Sequence, residues 1–387
     1  MDNFSFYDPV KIIFGRGAIG KIGAETALYG RRALFVYGQG SIRKNGVYRA
    51  VTRSLKAAGV SVTEHGGARP NPVLSHAREG IRTARLKKCD VVVAVGGGSA
   101  IDEAKAIAAG VEYRGDVWDL FTKKSGIRAS LPLIAASTLP ASGSEMNSGF
   151  VLLNEETRQK FVTESDASFP KTSILDPETT AGLPREQTAY GAADALAHLL
   201  EAYITAASPD ARVVDELVEG LARSVIVSTR RILKDPSDYG ARSAMMWAAA
   251  LAANGIGVCG YKGGIFLGHA IEHSLSAIYN LAHGAGLAIV MPACFKYQLK
   301  RTGPGRLAGF GNRVLGVKGR NEKETAELAI ARLERFFSSS GAPTRLAHAG
   351  IPAGAIPELA ENAGGLINLW GIDCGRAEVE KILRLAA

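Results

Sequence analysis

The sequence predicts an N-terminal α/β domain with a parallel sheet, over residues 1–184, followed by an all-α C-terminal domain, over residues 185–387. Three observations support this prediction. The chain has 387 residues, which exceeds the usual size of one domain, roughly 100–200 residues. Short β-branched runs alternate with helical stretches and Gly-rich turns as far as about Asp176. After Leu183 and Pro184 the segments become long and rich in Ala and Leu, with apolar residues at helical spacing.

The composition restricts the possible partners. A hydrophobic content of 47% and a charged content of 21% are typical of a soluble globular protein. No apolar run approaches the roughly 18 residues that a membrane span needs, and no basic region precedes an apolar stretch near the N-terminus. We therefore expect a cytoplasmic protein that has no membrane partner. The net charge of +9 comes from dispersed basic pairs rather than a continuous stripe, which argues against nucleic acid as a partner.

The β-branched runs predict the strands of the first domain, at residues 33–37, 60–64, 91–95 and 131–135. An earlier strand-like segment, Lys11–Phe14, leads into a formal G-x-G-x-x-G pattern at residues 15–20. A dinucleotide site of that type needs an acid roughly 20 residues further on, but Val36, Tyr37 and Gly38 stand there. We interpret the pattern as a tight turn.

A better phosphate-binding candidate follows the run at 91–95, which enters three glycines and then a helix that starts near Ser99. Such a layout directs bare backbone N–H groups and a positive helix end at an anion, which suits a pyrophosphate. The alternative is a Gly-rich turn that serves only close packing. A second polar loop, residues 137–145, follows the run at 131–135, so its hydroxyls are expected at the same sheet edge.

The second half predicts long helices at residues 189–206, 209–233 and 239–255. Asp194 and His198 are four residues apart and therefore share one helix face. A second window offers His269 and His273, again four apart, and His283 after a short loop. A lone histidine there is usually a hydrogen-bonded core residue, but several ionisable groups in apolar helices need partners or a metal. Imidazoles and a carboxylate without sulfur suit Fe(II) or Zn(II), and spacing alone leaves open whether His269 or His273 is a ligand.

These segments resemble the iron-containing alcohol dehydrogenase family in order and spacing, over essentially the whole chain. The matching motifs are GGGSAIDEAK, TLPASGSE, GAADALAHLLEAY and HAIEHSLSAIYNLAH. The segments YGQGSIRKNGVY and LPASGSEMN are most similar to its butanol dehydrogenase-like, NADPH-dependent aldehyde-reducing branch. The resemblance implies the dehydroquinate synthase-like fold, in which a dinucleotide-binding α/β domain precedes a helical, metal-binding catalytic domain.

The resemblance also implies roles for individual residues. Metal ligands would be Asp194, His198, His269 and His283, and His273 would face substrate and nicotinamide and help to move the proton. The implied cofactor-binding residues are Asn71, Gly97, Gly98, Ser99, Asp102, Thr138, Ser142 and Lys160. Without the resemblance, Asn71 would be interpreted as a turn residue and Lys160 as a surface charge.

The turn after the strand at 33–37 predicts a preference for NADP(H) over NAD(H). In dinucleotide folds, an acid near this point hydrogen-bonds the ribose 2′-hydroxyl and repels a 2′-phosphate. Here Gly38 removes bulk and charge, Ser41 can donate a hydrogen bond, and Arg43 or Lys44 can supply positive charge. If the basic pair points to solvent instead, both cofactors should serve alike.

Together these features predict a metal-dependent, NAD(P)H-linked alcohol dehydrogenase or aldehyde reductase that acts on a small primary alcohol or aldehyde, as a homodimer. The alternatives are glycerol dehydrogenase-like polyol oxidation and a dehydroquinate synthase-type lyase. A lyase of that type needs basic residues to hold a substrate phosphate, but residues 247–290 carry only Lys262. A non-enzymatic nucleotide-binding protein would require an incomplete metal-ligand set, and the set is complete.

Overall fold

The computed structural model describes residues 1–208 and 210–387. The chain forms two compact units, one of Tyr7–Leu183 and one of Met1–Phe6 with Pro184–Ala387. The first is built around a parallel sheet and the second is helical, which confirms the predicted fold class. The first six residues pack with the helical unit, where the backbone N–H of Asp2 donates to the carbonyl of Gly260 over 3.0 Å.

The first unit contains eight strands within the described residues. They are β1 (Lys11–Phe14), β2 (Arg32–Gly38), β3 (Ser61–Ala68), β4 (Val91–Gly96), β5 (Leu133–Ser137), β6 (Phe150–Asn154), β7 (Gln159–Thr163) and β8 (Thr172–Leu175). Six of them form one parallel sheet in the order β1-β8-β5-β4-β2-β3, and β6 and β7 form a separate antiparallel pair. The predicted strands correspond to β1 to β5, whereas the β6–β7 pair and β8 were not predicted.

Helices cover both faces of this sheet. They are α1 (Ile22–Thr26), α2 (Ser41–Lys44), α3 (Val47–Ala57), α4 (Leu74–Leu86), α5 (Gly98–Glu112) and α6 (Trp118–Phe121). Along β2, Leu34 and Val36 belong to one core cluster, and Ala33 and Phe35 belong to the cluster on the opposite face. A strand that is buried on both faces needs apolar side chains at consecutive positions, which explains its uninterrupted apolar sequence.

The register of the sheet brings the candidate loops to one edge. Strands β2, β4 and β5 are neighbours and parallel, so their carboxyl ends lie side by side. Gly96 pairs with Ser137, and the N–H of Thr138 donates to the carbonyl of Gly96 over 2.8 Å. The loops that follow β4 and β5 are therefore adjacent, at the edge where parallel α/β sheets bind ligands.

The helical unit contains the remaining long helices. They are α7 (Arg185–Thr205), α8 (Arg212–Lys234), α9 (Tyr239–Ala252), α10 (Leu267–Tyr279), α11 (His283–Thr302), α12 (Gly305–Arg313), α13 (Glu322–Ser340), α14 (Ile356–Leu369) and α15 (Arg376–Leu385). The predicted helix at 209–233 corresponds to α8, although its expected first residue, Pro209, lies outside the described residues. Across the described chain, the helices are all too short or too polar to cross a membrane.

Helix α7 lies at the centre of this unit, packed against α8, α9 and α11. Most of its side chains are buried, including Ala192, Ala193, Leu196 and Leu200. A helix that is buried on every side can be apolar all round. The polar residues Asp194 and His198 are therefore exceptions to the apolar sequence of α7.

Candidate active site

Four side chains that could ligate a metal ion converge in the helical unit. Asp194 and His198 project from α7, His269 projects from α10, and His283 is the first residue of α11. The imidazole centroids of His198 and His269 are 4.5 Å apart, and those of His269 and His283 are 5.4 Å apart. Nε2 of His283 lies 4.0 Å from Oδ1 of Asp194. We call Asp194, His198, His269 and His283 the helical metal cluster.

Two atoms at the centre of this cluster lack hydrogen-bond partners within the described residues. They are Oδ1 of Asp194 and Nε2 of His269, on residues that are 4% and 5% exposed. Nδ1 of His198 lies 3.0 Å from Oδ1 of Asp194, but its hydrogen bond goes to the backbone carbonyl of Asp194. Because a buried polar atom without a partner is costly, a cation that contacts both atoms fits the site. The donor set, nitrogen and carboxylate oxygen without sulfur, fits a divalent ion such as Fe(II) or Zn(II).

Two buried glutamates orient the histidine rings. Oε1 of Glu201 lies 3.0 Å from Nδ1 of His269, and the other carboxylate oxygen accepts from the N–H of Gly268 over 2.8 Å. Glu272 likewise contacts Nδ1 of His283. A carboxylate on Nδ1 fixes the tautomer and leaves Nε2 as the metal-binding nitrogen. The sequence analysis missed both residues, although Glu201 follows His198 by three positions on the same helix.

Glycines make room for these carboxylates. A Cβ added at Gly268 would lie 2.6 Å from Oε1 of Glu201, and one added at Gly286 would lie 2.4 Å from Oε1 of Glu272. Any larger residue would displace the glutamate, so both glycines are required for the close approach of the helix backbones.

The electrostatics of the cluster keep its carboxylate ionised. Burial alone would raise the pKa of Asp194, but the nearby imidazoles of His198, His283 and His269 lower it below its usual value. Burial would lower the pKa of His198, but the charge and hydrogen bonds of Asp194 raise it. An anionic ligand is therefore available, and protons compete with the metal for His198.

His273 lies beside the cluster on α10, one turn after His269. It is 5% exposed, and its ring centroid is 5.5 Å from that of His283 and 6.3 Å from that of Trp370. The potential ligand atoms of Asp194, His198 and His269 lie within 4.8 Å of one another, whereas His273 groups with Glu272 and His283. This grouping separates His269 from His273, a distinction that sequence spacing left open, but it also places His283 with His273 rather than with the other three predicted ligands.

In the α/β unit, the candidate phosphate loop begins α5 at Gly98, with Gly97 as the preceding residue. No side chain within the described residues caps this helix start. A Cβ at Gly98 would lie 2.2 Å from Oγ of Ser142, a buried atom without a hydrogen-bond partner within the described residues. The helix start and the Ser142 hydroxyl thus fit an anionic group such as a phosphate.

The other residues of these two loops are mostly engaged within the domain. Asp102 is 7% exposed, and its carboxylate accepts hydrogen bonds from Oγ of Ser144 over 2.5 Å and from the N–H of Val151 over 3.3 Å. Burial raises the pKa of Asp102. Thr138 is 7% exposed and Ser99 is half-buried in the first turn of α5. Asp102 therefore joins the second loop and β6 to α5.

Asn71 and Lys160 contact each other, although they are 89 residues apart in the sequence. Nζ of Lys160 donates to Oδ1 of Asn71 over 2.9 Å, and each residue is 3% exposed. Asn71 has a φ of 56°, a left-handed conformation that asparagine tolerates better than most residues. Lys160 is thus a buried cation held by Asn71, and the surface-charge interpretation is wrong.

Gly38 is the last residue of β2, and Ser41 begins α2 after a short turn. Arg43 is not simply turned to solvent, because it is 2.8 Å from Oε2 of Glu64 and stacks over the Tyr48 ring at 4.1 Å from the centroid. Hydrogen bonds from the hydroxyls of Tyr37 and Tyr48 lower the pKa of Glu64. The negative charge of Glu64 therefore offsets the positive charge of Arg43. Arg43 therefore contributes less positive charge to this turn than the sequence analysis expected.

Family models match both units. One described as "Iron-containing alcohol dehydrogenase" matches residues 9–177, and one described as "Fe-containing alcohol dehydrogenase family, C-terminal" matches residues 188–386. The chain is 41% identical over 352 residues to a probable NADH-dependent butanol dehydrogenase 2 of Bacillus subtilis, covering 90% of this chain and 89% of that protein. It is 35% identical over 362 residues to the NADPH-dependent aldehyde reductase YqhD of Escherichia coli, covering 93% and 92% of the two chains.

Among solved structures, the NADH-dependent butanol dehydrogenase A of Thermotoga maritima superposes with a TM-score of 0.96 at 43% identity. The superposition covers 100% of this chain and 99% of that one. The similarity therefore extends over the sheet unit and the helical unit alike.

Proposed function

The chain belongs to the iron-containing alcohol dehydrogenase family, and from this premise we propose that the helical metal cluster binds its catalytic divalent metal. The enzyme is a nicotinamide-dependent alcohol dehydrogenase or aldehyde reductase, which transfers a hydride between NAD(P)H and a small aldehyde or alcohol. These similarities favour an oxidoreductase over the two alternatives of a lyase and a non-enzymatic nucleotide-binding protein.

The observation that carries the metal assignment is a pair of buried atoms, Oδ1 of Asp194 and Nε2 of His269, that have no hydrogen-bond partner in the part of the chain that the structure describes. When bound, a divalent cation acts as a Lewis acid on the substrate oxygen while reduced nicotinamide supplies the hydride. Asp194 supplies the negative charge that binds the cation. Glu201 and Glu272 hold His269 and His283 with Nε2 towards it.

For the proton, we propose His273. Reduction of an aldehyde leaves an oxygen that must be protonated, and an imidazole with an ordinary pKa near 6.5 is suited to give and take protons at neutral pH. His273 lies beside His283 at the margin of the cluster, so it can serve this role without being a metal ligand.

We propose that the phosphates of the cofactor bind at Gly97, Gly98 and Ser99, with Thr138 and Ser142 from the adjacent loop. The uncapped start of α5 and the buried Oγ of Ser142 support this assignment. The contact of Lys160 with Asn71 places one buried positive charge in the same domain, and Asp102 fixes the loops to each other.

We further propose that NADP(H) is preferred over NAD(H). The support is the absence of an acidic side chain from residues 38–44, with Ser41 and Lys44 as donors for a 2′-phosphate. Glu64 opposes the preference because it neutralises Arg43, and the relatives include NADH-dependent and NADPH-dependent enzymes. The preference is tested by measuring kcat/KM with NADPH and with NADH. Comparable values for the two cofactors would refute the proposed preference for NADP(H).

The metal assignment is tested by removing metal with a chelator, reloading with Fe(II) or Zn(II), and assaying short primary aldehydes and alcohols with both cofactors. We expect activity to return with metal in the wild-type chain, and to stay absent in His269→Ala and His283→Ala chains that remain folded. Normal turnover by either variant would refute the ligand assignment. A polyol that outperforms every simple primary alcohol would instead favour the glycerol dehydrogenase-like alternative.

We also propose a homodimer in the cytoplasm. Strand β1 lies at one end of the sheet, where Phe14 is 43% exposed, and an edge strand with an exposed aromatic residue favours self-association. The four cysteines are free and buried, which fits a reducing compartment. Light scattering that gives the mass of one chain would refute the dimer.

A further inference from the structure

A second group of potential metal ligands lies in the α/β unit, outside the residues assigned to the cofactor. His65 comes from β3, His76 from α4 and Glu103 from α5. Nδ1 of His76 and Nε2 of His65 lie 2.7 Å and 3.3 Å from the same oxygen, Oε1 of Glu103. The potential ligand atoms of all three residues lie within 4.8 Å of one another.

Burial leaves part of this group without hydrogen bonds. Glu103 is 0% exposed and His65 is 7% exposed. Within the described residues, Oε2 of Glu103 and Nε2 of His65 have no hydrogen-bond partner. Polar atoms that are removed from water in this way are usually paired, so the group has unused capacity for a ligand.

A shared proton explains only part of the arrangement. The hydrogen bond to Glu103 raises the pKa of His76, while burial alone would raise the pKa of Glu103 and the two neighbouring histidines lower it. An ion pair between His76 and Glu103 leaves Nε2 of His65, which is 3.3 Å from Oε1 of Glu103, without a hydrogen bond within the described residues. The rings of His65 and His76 stack with their centroids 4.1 Å apart, so both imidazoles lie beside the same carboxylate.

We propose that His65, His76 and Glu103 bind a second divalent metal ion of the zinc class, distinct from the ion of the helical metal cluster. Ligands at about 2.0–2.1 Å from a tetrahedral ion are roughly 3.3 Å apart, as Nε2 of His65 and Oε1 of Glu103 already are. Nδ1 of His76 needs to move by only a few tenths of an ångström.

Gly80 leaves space beside the ring of His65, and the side chain of His76 is partly exposed to solvent. A Cβ at Gly80 would lie 2.9 Å from Nε2 of His65, so a larger residue there would crowd this nitrogen. The side chain of His76 is 23% exposed, so an ion can reach the group from the solvent side. The ion would join the edge strand β3 to α4 and α5 and stabilise the domain through mass action.

The test uses the full-length His269→Ala/His283→Ala double variant, which lacks two ligands of the helical metal cluster. After chelation, the protein is titrated with Zn²⁺ and, in parallel, with Co²⁺ as a spectroscopic probe. We expect one ion per chain, a visible Co²⁺ absorption band and a higher melting temperature with metal. Adding His76→Gln or Glu103→Gln should weaken binding at least 100-fold. Because activity is not measured, this result is independent of the proposed function.

A matched control separates a built site from surface binding. His348 is an exposed residue outside the group, so His348→Gln should leave the affinity unchanged. If Glu103→Gln impairs folding, the His76→Gln variant provides the test, because His76 is partly exposed and its substitution disturbs the core less. Absence of stoichiometric binding in the double variant, or binding that survives His76→Gln unchanged, would overturn the proposal.

Discussion

The buried glutamates illustrate how single residues determine the orientation of a metal ligand. Oε1 of Glu201 faces Nδ1 of His269, and its other oxygen accepts from the backbone of Gly268. In a Glu201→Gln chain, the side-chain amide can no longer satisfy both donors, so the ring of His269 loses its fixed orientation. We expect metal affinity at the helical metal cluster to fall about 10-fold to 100-fold.

Chelator competition measures this affinity. Glu186 lies on the same helix but is exposed, so Glu186→Gln is the matched control and should bind as the wild type does. An unchanged affinity in Glu201→Gln would show that the ring is held by packing alone.

His273 provides a second prediction for a single residue. His273→Ala should retain the metal of the helical metal cluster but reduce turnover by roughly 10²-fold to 10⁴-fold, the usual contribution of a positioned acid or base. The pH dependence of kcat should flatten as well, because the titrating group is gone. Elemental analysis supplies the critical readout, since loss of the metal together with activity would make His273 a ligand.

At Gly38 the prediction concerns cofactor choice. An added Cβ would meet only the carbonyl oxygen of Ala68, at 3.7 Å, so a Cβ at this position requires no backbone shift. Gly38→Asp should therefore act through its charge, weakening NADPH far more than NADH. Gly38→Asn, of similar size, controls for bulk. Equal loss with both cofactors would remove the basis for the NADP(H) preference.

At the scale of elements, the loops after β4 and β5 depend on each other. A Cβ at Gly98 would overlap Oγ of Ser142 at 2.2 Å, so Gly98→Ala must displace the Ser142 hydroxyl. We expect KM for the cofactor to rise at least 10-fold, with the metal content unchanged. The Gly98→Ala/Ser142→Ala chain removes the overlapping oxygen and should recover part of the affinity. No recovery would mean that Ser142 is not the obstacle.

The same elements show what the sequence could and could not predict. Strands buried on both faces have continuous apolar runs, so β2, β4 and β5 were recognisable from composition alone. The β6–β7 pair was missed because Phe150, Phe161 and their neighbours lack a distinctive alternation and pack beside the sheet rather than within it. Because this pair was not predicted, Lys160 was interpreted as a surface charge. Its burial involves a contact with Asn71, which is 89 residues away in the sequence.

For the metal cluster, spacing predicted the candidate residues but not their arrangement. His269 and His273 lie on the same face of α10, one turn apart, so only the position of α7 distinguishes them. Packing brings Asp194 and His198 close to His269, and His273 lies beside His283 and Trp370. The sequence also did not predict that Glu201 and Glu272 contact Nδ1 of His269 and His283. These contacts depend on tertiary packing, as does the hydrogen bond from Gly268 to Glu201.

At the scale of the whole molecule, the chain divides its chemistry between two units. The sheet unit offers backbone N–H groups and hydroxyls, and the helical unit offers imidazoles and a buried carboxylate. Each unit matches its own family model, at residues 9–177 and 188–386. An enzyme that needs a nicotinamide and a metal ion is consistent with both sets of groups.

The most direct test of this account is the anomalous diffraction of crystals grown with Fe(II) or Zn(II). We expect a peak about 2.0–2.2 Å from Asp194, His198, His269 and His283, with His273 outside bonding distance. A map without a peak among these four residues, or with a peak coordinated by His273 in place of His269, would contradict it.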